Sequence, residues 1–393
     1  MHSQVQTAQR LVVKIGSALL VKNDALDTKW LAALADDLAK AHKNGQEIIL
    51  VTSGAVSLGC AALGLTRNMM SLAQSQAAAA VGQIELLRGW QNALAQYDIQ
   101  TAQILLTPED TEQRRRYLNA RQTLTALLDM GVVPVINEND TVATQELRYG
   151  DNDRLAARVA AMSSADCLLL LSDIDGFYSA DPHRHEDAEF FDHIAQITPQ
   201  IEAMAGGSGS SHGSGGMVTK LQAAQIAQSA GCHMVLASGR APNPLQALAD
   251  GARATLFEAH ANPLTARKNW IAGTLHPAGE LSLDDGAVAA LRAGKSLLPV
   301  GITALSGHFE RGDCVILRAA DGTELGRGLC AYASADAQLM IGKDTKSLAA
   351  TPDLAAIWTG RAEMVHRDDM VLQDADGTSL AMNPMETKGA EHE

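Results

Sequence analysis

Up to about residue 240, short runs of Val, Ile and Leu alternate with longer stretches in which apolar residues recur every three or four positions. The short runs predict strands: LVVKIG (11–16), EIILVTSG (47–54), IQTAQILL (99–106), VVPVINEN (132–139), DCLLLLSD (166–173) and HMVLASG (233–239). The longer stretches predict helices. In KWLAALADDLAKAHKNG (29–45), Leu31, Leu34, Leu38 and Ala41 share one face and Gly45 ends the run. Strand and helix in alternation imply an α/β fold, a mostly parallel sheet flanked by helices. After residue 262 the pattern changes to short alternating segments broken by Gly and Asp, such as GELSLDDGA and HFERGDCVILRAADGTELGRGL. This predicts a smaller β-rich domain over 276–358, joined through NPLTARKNWIAGTLHPAG. The end of the chain is polar and aperiodic, and a flexible tail is expected over 370–393.

Composition narrows the function classes. A length of 393 residues suits two or three domains, and no apolar run approaches the ~20 residues of a membrane span. No apolar signal region precedes the first strand, so a cytoplasmic location is expected. The net charge of −14 argues against nucleic acid as a partner. The β-rich stretch repeats that balance, with seven Lys plus Arg against ten Asp plus Glu, a net of −3 over 276–358. Five scattered cysteines form no CxxC pair and are expected to be buried thiols. His183, His185 and His193 share no helical spacing and are expected in an exposed polar loop.

In open sheets of this kind ligands sit beyond the carboxyl ends of the strands, so the candidate chemistry lies in the residues just past each strand. Lys14 interrupts an apolar strand just before Gly16 and Ser17, and a lysine so placed needs an anionic oxygen, most simply a phosphate. Ser53 and Gly54 turn a strand into a helix and present donors to a small anion, although Ser53 reads equally as a helix cap. One strand empties into Asn137, Glu138, Asn139 and Asp140, and a second cluster, Asp151, Asn152 and Asp153, precedes a helix. Two such clusters suit a cationic hydrogen-bonding group such as an ammonium; capping accounts for one residue of the second. Ser172 and Asp173 come directly after a wholly apolar strand. GSGGMVTK, from Gly213 to Lys220, leads into a helix whose N-terminus favours phosphate, with Lys220 on its first turn. It lacks the GxxxxGK[ST] spacing of a Walker A loop.

Together, VVKIGS, VTSGAV, PVINENDTVAT, GDNDRLAA, LLLLSDIDGFYSADP, GGMVTKLQAA, NPLTARKNWIAG and VHRDDM resemble the amino acid kinase family in its members that phosphorylate L-glutamate. The likeness runs from about residue 10 to 369 and implies a kinase domain over 8–262 followed by a PUA-like domain. It further implies ATP with Mg²⁺, a homo-oligomer (dimer or tetramer) and feedback inhibition by proline. Residue by residue, it makes Lys14, Lys220 and Asp153 catalytic and assigns the acceptor to Ser53, Gly54, Asp140 and Asn152. ATP falls to Lys14, Ser172, Asp173, Ser214, Gly215, Gly216, Met217, Val218, Thr219 and Lys220. The Ser/Gly-rich loop with His212 departs from the family, as does Ser172 where Thr is usual, yet both hydroxyls serve alike. The alternative is a family member acting on aspartate, N-acetylglutamate, carbamate or UMP.

Overall fold

The computed structural model describes residues 3–66, 70–142, 151–205, 216–263, 265–266, 271, 277–344, 347 and 362–373. The chain divides into two compact units, Met1–Pro263 and Leu264–Glu393.

In the first unit eight strands form one sheet: β1 (Arg10–Ile15), β2 (Glu47–Val51), β3 (Thr101–Leu106), β4 (Val133–Glu138), β5 (Cys167–Ser172), β6 (His193–Ile194), β7 (His233–Ser238) and β8 (Ala254–Phe257). Their order is β6-β8-β7-β5-β1-β2-β4-β3. The six strands expected from the sequence pair in parallel, while β8 runs antiparallel to β7 and β6 pairs with β8. The two additional strands are too short, or too interrupted by Gly and Arg upstream, to stand out as apolar runs. His193, expected in a loop, lies in β6 and pairs with Glu258 at 2.8 Å.

The helices that matter for the site are α1 (Thr28–Lys43), α2 (Ala55–Leu63), α3 (Leu72–Ala95), α4 (Arg114–Asp129), α5 (Asp151–Ser163) and α6 (Met217–Ser229). Strand alternation sorts β1 between two cores. Leu11, Val13 and Ile15 pack with Trp30, Leu31, Leu34 and Leu38 of α1 and with Leu86 and Trp90 of α3. Val12 packs on the other face with Ala156, Val159 and Ala160 of α5 and Leu221 and Ala224 of α6. The result is helix, sheet, helix in three layers, with β5 buried along its whole length. Each fully buried leucine, such as Leu169 or Leu170, contributes about 1.5–3 kcal/mol. Lys14 has the parity of Val12, so its side chain leaves the sheet toward α5 and α6.

α2 and α3 are locked backbone to backbone. A Cβ on Gly59 would stand 1.7 Å from the Ala78 carbonyl oxygen, and one on Gly82 would stand 1.9 Å from that of Ala55. Only glycine permits that approach, and it sets the height of the α3 residues beyond it, Gln83 to Trp90.

In the second unit, β9 (Gly279–Leu283), β10 (Ile302–Gly307), β11 (Cys314–Arg318), β12 (Glu324–Leu329) and β13 (Met370–Leu372) form a sheet ordered β10-β9-β11-β12-β13. Leu281, Leu283, Val315, Leu317, Phe309 and Val365 fill its core. β13 pairs antiparallel with β12, so the expected limits of 358 for this domain and 370 for the tail fall too early. Three residues give too short an apolar run to be read as a strand without the neighbour that pairs with them. The remainder of the expected tail, 374–393, lies outside the described residues.

Candidate active site

The parallel strands deliver their ends to one edge of the sheet, where three charged side chains from three elements converge. Lys14 Nζ of β1 stands 2.5 Å from Asp153 Oδ1 on the first turn of α5. Lys220 Nζ, on the first turn of α6, lies 3.3 Å from Asp153 Oδ2. The Thr219 hydroxyl donates to the same oxygen at 3.0 Å. Lys14 is 8% exposed, Lys220 9% and Asp153 1%, so two cations and one anion share a dry site. Burial lowers the pKa of Lys14 against the opposing pull of Asp153. For Asp153 burial acts upward, yet Lys14 and Lys220 outweigh it and hold the carboxyl below its usual range. One carboxylate facing two ammoniums leaves the cluster one positive charge in excess, which suits an incoming polyanion.

The first turn of α6 follows the cap Gly216, and its leading N–H groups, at Met217 and Val218, carry the positive end of the helix dipole. Ser214 and Gly215 lie outside the described residues. At the end of β5 the buried Ser172 hydroxyl donates to the exposed Asp173 at 3.1 Å.

A second group of polar side chains gathers around Asn152, the neighbour of Asp153. Gly54, with φ of +106°, is the N-cap of α2, a conformation that L side chains rarely adopt. Ser53 is therefore no cap. Its hydroxyl oxygen instead accepts from Asn152 Nδ2 at 2.7 Å, and the same nitrogen lies 2.8 Å from the Thr52 carbonyl and 3.1 Å from Asn137 Oδ1. Asn137 Nδ2 in turn donates to Gln83 Oε1 on α3 at 2.7 Å, and Trp90 Nε1 donates to the Thr52 hydroxyl at 3.2 Å.

Beside this network lies a cleft of about 400 Å³ lined by Gln83, Ile84, Arg88, Glu138, Asn139 and Asp140, among others. Burial, with the charge of Asp140 beside it, pushes Glu138 up to about 7, and burial pushes Asp140 up to about 6. Carboxylates held so high, with no cation strong enough to bring them down, form a site that favours an added positive charge.

The structure thus joins Lys14, Asp153 and Lys220 in one cluster and links Ser53 to Asn152, while Asp140 lines the adjoining cleft. Sequence reasoning missed Gln83 and the links through Thr52 and Asn137. A signal existed: Ala79, Gln83, Leu86 and Trp90 follow one helical stripe, and a glutamine in an otherwise apolar stripe asks for a partner.

The model of the amino acid kinase family matches residues 9–238, and that of the PUA domain matches 279–350. A glutamate 5-kinase of Rhodopseudomonas palustris (strain BisB18) is 54% identical over 378 residues, covering 95% of this chain and 99% of that protein. Glutamate 5-kinases of Nitrobacter winogradskyi, 55% identical over 94% of this chain and 97% of that one, and of Bradyrhizobium diazoefficiens, 54% over 93% and 97%, are similar. With one family model spanning more than half its length and relatives matching nearly all of it, this chain belongs to the amino acid kinase family.

Proposed function

We propose that the chain transfers the γ-phosphoryl group of ATP to the side-chain carboxylate of L-glutamate, giving L-glutamyl 5-phosphate, the first step of proline biosynthesis. The observation that carries this reading is the meeting of Lys14 and Lys220 on Asp153. The relatives' name supplies the acceptor. A glutamate carboxyl, with a pKa of about 4.3, is already ionised at neutral pH, so no general base is required. A carboxylate oxygen forms the new bond to Pγ, the bond from Pγ to the β–γ bridging oxygen breaks, and its electron pair leaves with ADP. No proton moves. What remains for the protein is alignment and neutralisation of charge on the transferring group. In this reading Lys14 and Lys220 supply that charge, and Asp153 holds both side chains in place. Ser53, Gly54, Asp140 and Asn152 hold glutamate. Ser172, Asp173 and the 214–220 segment hold ATP, with the N-terminus of α6 facing phosphate.

Mg²⁺ enters with the nucleotide, whose phosphates are its natural ligands. Among the described residues no three His, Cys, Asp or Glu side chains gather as a metal site, and Asp153 is engaged by lysines. From the family resemblance we further propose a cytoplasmic homo-oligomer, dimer or tetramer, inhibited by proline, with its kinase domain over 8–262. The test is an acceptor panel with ATP that reads ADP formation, with hydroxylamine added to trap acyl phosphates as hydroxamates. Product with L-glutamate and little with aspartate, N-acetylglutamate, carbamate or UMP is expected; a strong preference for another acceptor overturns the assignment.

A further inference from the structure

Gln83 sits mid-helix in α3, 8% exposed, at the wall of the acceptor cleft. Its two amide atoms have different fates. Oε1 accepts from Asn137, whereas Nε2, buried, has no hydrogen-bond partner among the described residues. A buried amide N–H left unpaired is destabilising, and in a residue that lines a cleft it points to a ligand that removes the penalty.

The direction of this amide is not arbitrary. The Thr52 backbone carbonyl can only accept, so the atom of Asn152 that faces it at 2.8 Å is the nitrogen. That same nitrogen lies 3.1 Å from Asn137 Oδ1, a longer contact that shares a hydrogen with Ser53 or Thr52 and keeps the Asn137 nitrogen turned away from it. Asn137 then has only its NH₂ left for Gln83, at 2.7 Å, and Gln83 must present Oε1 to Asn137. A main-chain carbonyl thereby orients three side-chain amides in series, and the last, on a residue that lines the cleft, keeps its buried Nε2 on the side away from Asn137. The Thr52 end of the series is further held by Trp90 and by the buried hydroxyl it contacts.

Charge decides the occupant of that donor. Glu138 and Asp140 line the same cleft as acceptors for a cation, while Arg88 and the neutral donor of Gln83 line it for an anion. A zwitterionic α-amino acid head carries both. We propose that Gln83 is a specificity-determining residue whose Nε2–H donates to the α-carboxylate of the acceptor amino acid. This rests on the proposed glutamate kinase activity. There the side-chain carboxylate is turned toward Lys14 and Lys220, which leaves the α-carboxylate as the anion for Gln83.

The experiment compares L-glutamate with its α-amide, which keeps the reacting carboxylate and the ammonium but replaces the α-carboxylate. Gln83→Glu retains the oxygen that Asn137 needs and turns the donor into an acceptor. The variant is expected to lose kcat/KM for L-glutamate on the order of 10–100-fold at pH 8, mainly through KM, with KM for ATP unchanged. With the α-amide, whose NH₂ can donate to the new carboxylate, the loss is expected to shrink below threefold. Gln83→Met, which removes donor and acceptor together, is expected to lose activity on both substrates because Asn137 is freed as well. Equal losses for Gln83→Glu on the two substrates, or no loss on L-glutamate, overturn the proposal. Wild-type protein that makes no hydroxamate from L-glutamate instead overturns the kinase assignment, and glutamate-induced thermal shifts of wild type and Gln83→Glu then decide the Gln83 proposal. A shift retained in the variant refutes it.

Discussion

Asp153 lies on the first turn of α5 and Glu138 ends β4, with Asp140 two residues on, so all three carboxylates border the same edge of one sheet. Burial pushes each of them up. Asp153 nevertheless titrates low, because Lys14 and Lys220 reach it, whereas Glu138 and Asp140 stay high at about 7 and 6. The difference teaches that burial raises a carboxyl unless cations reach it closely enough to reverse the sign. Around Asp153 the chain supplies its own cations. In the cleft of Glu138 and Asp140 the guanidiniums nearby do not bring the carboxyls down, and under the proposed function the substrate adds an ammonium there.

The comparison is broken most severely by removing a lysine. Lys220→Ala, and separately Lys14→Ala, are expected to lower kcat on the order of 10²–10³-fold with little change in KM for glutamate, since the charge they meet develops in the transition state. Steady-state kinetics with each substrate varied decides this; a Lys220→Ala variant with near-normal kcat would demote the 213–220 segment to a linker. Asn152→Ala is expected to act on the other side, raising KM for glutamate about tenfold and lowering kcat less, because its contact exists in ground and transition states alike. A pure kcat defect would contradict that division.

Acidification sharpens the contrast without mutation. Between pH 8 and 5.5 Glu138 and then Asp140 gain protons, so kcat/KM for glutamate is expected to fall several-fold, while Asp153, held low, remains ionised. Glu138→Gln should remove the upper limb of that profile, and an unchanged profile in the variant counts against Glu138 as its source.

The smallest effect concerns stability, and the signs oppose each other. A carboxyl raised to about 7 binds its proton in the folded state while the unfolded chain has released it, so folding loses stability as pH rises between its ordinary value and 7. Asp153 behaves in reverse: its contribution is present above the ordinary carboxylate pKa and is lost as pH falls through the lowered one. Glu138→Gln is therefore expected to raise Tm by about 2–4 °C at pH 8, a figure kept small because Glu138 is only half-buried, and to leave it unchanged near pH 4.5. Calorimetry at both values settles it; a Tm lowered at pH 8 would show that the charge is compensated.

The sequence by itself determined the α/β alternation, six of the eight strands of the large sheet, and the positions of Lys14, Asp153 and Lys220 at element ends. These are local properties: apolar runs, period and punctuation are written in neighbouring residues. Only the tertiary structure decided that residues 139 and 67 positions apart in the chain, Lys14 with Asp153 and Asp153 with Lys220, share one carboxylate. It alone placed Ser53 off the helix cap, added Met370–Leu372 to the second sheet, and gave Gln83 a directed role. Strand pairing, desolvation and hydrogen-bond direction depend on atoms far away in sequence, and the Gly59 and Gly82 contacts that bring α3 to its height are such atoms.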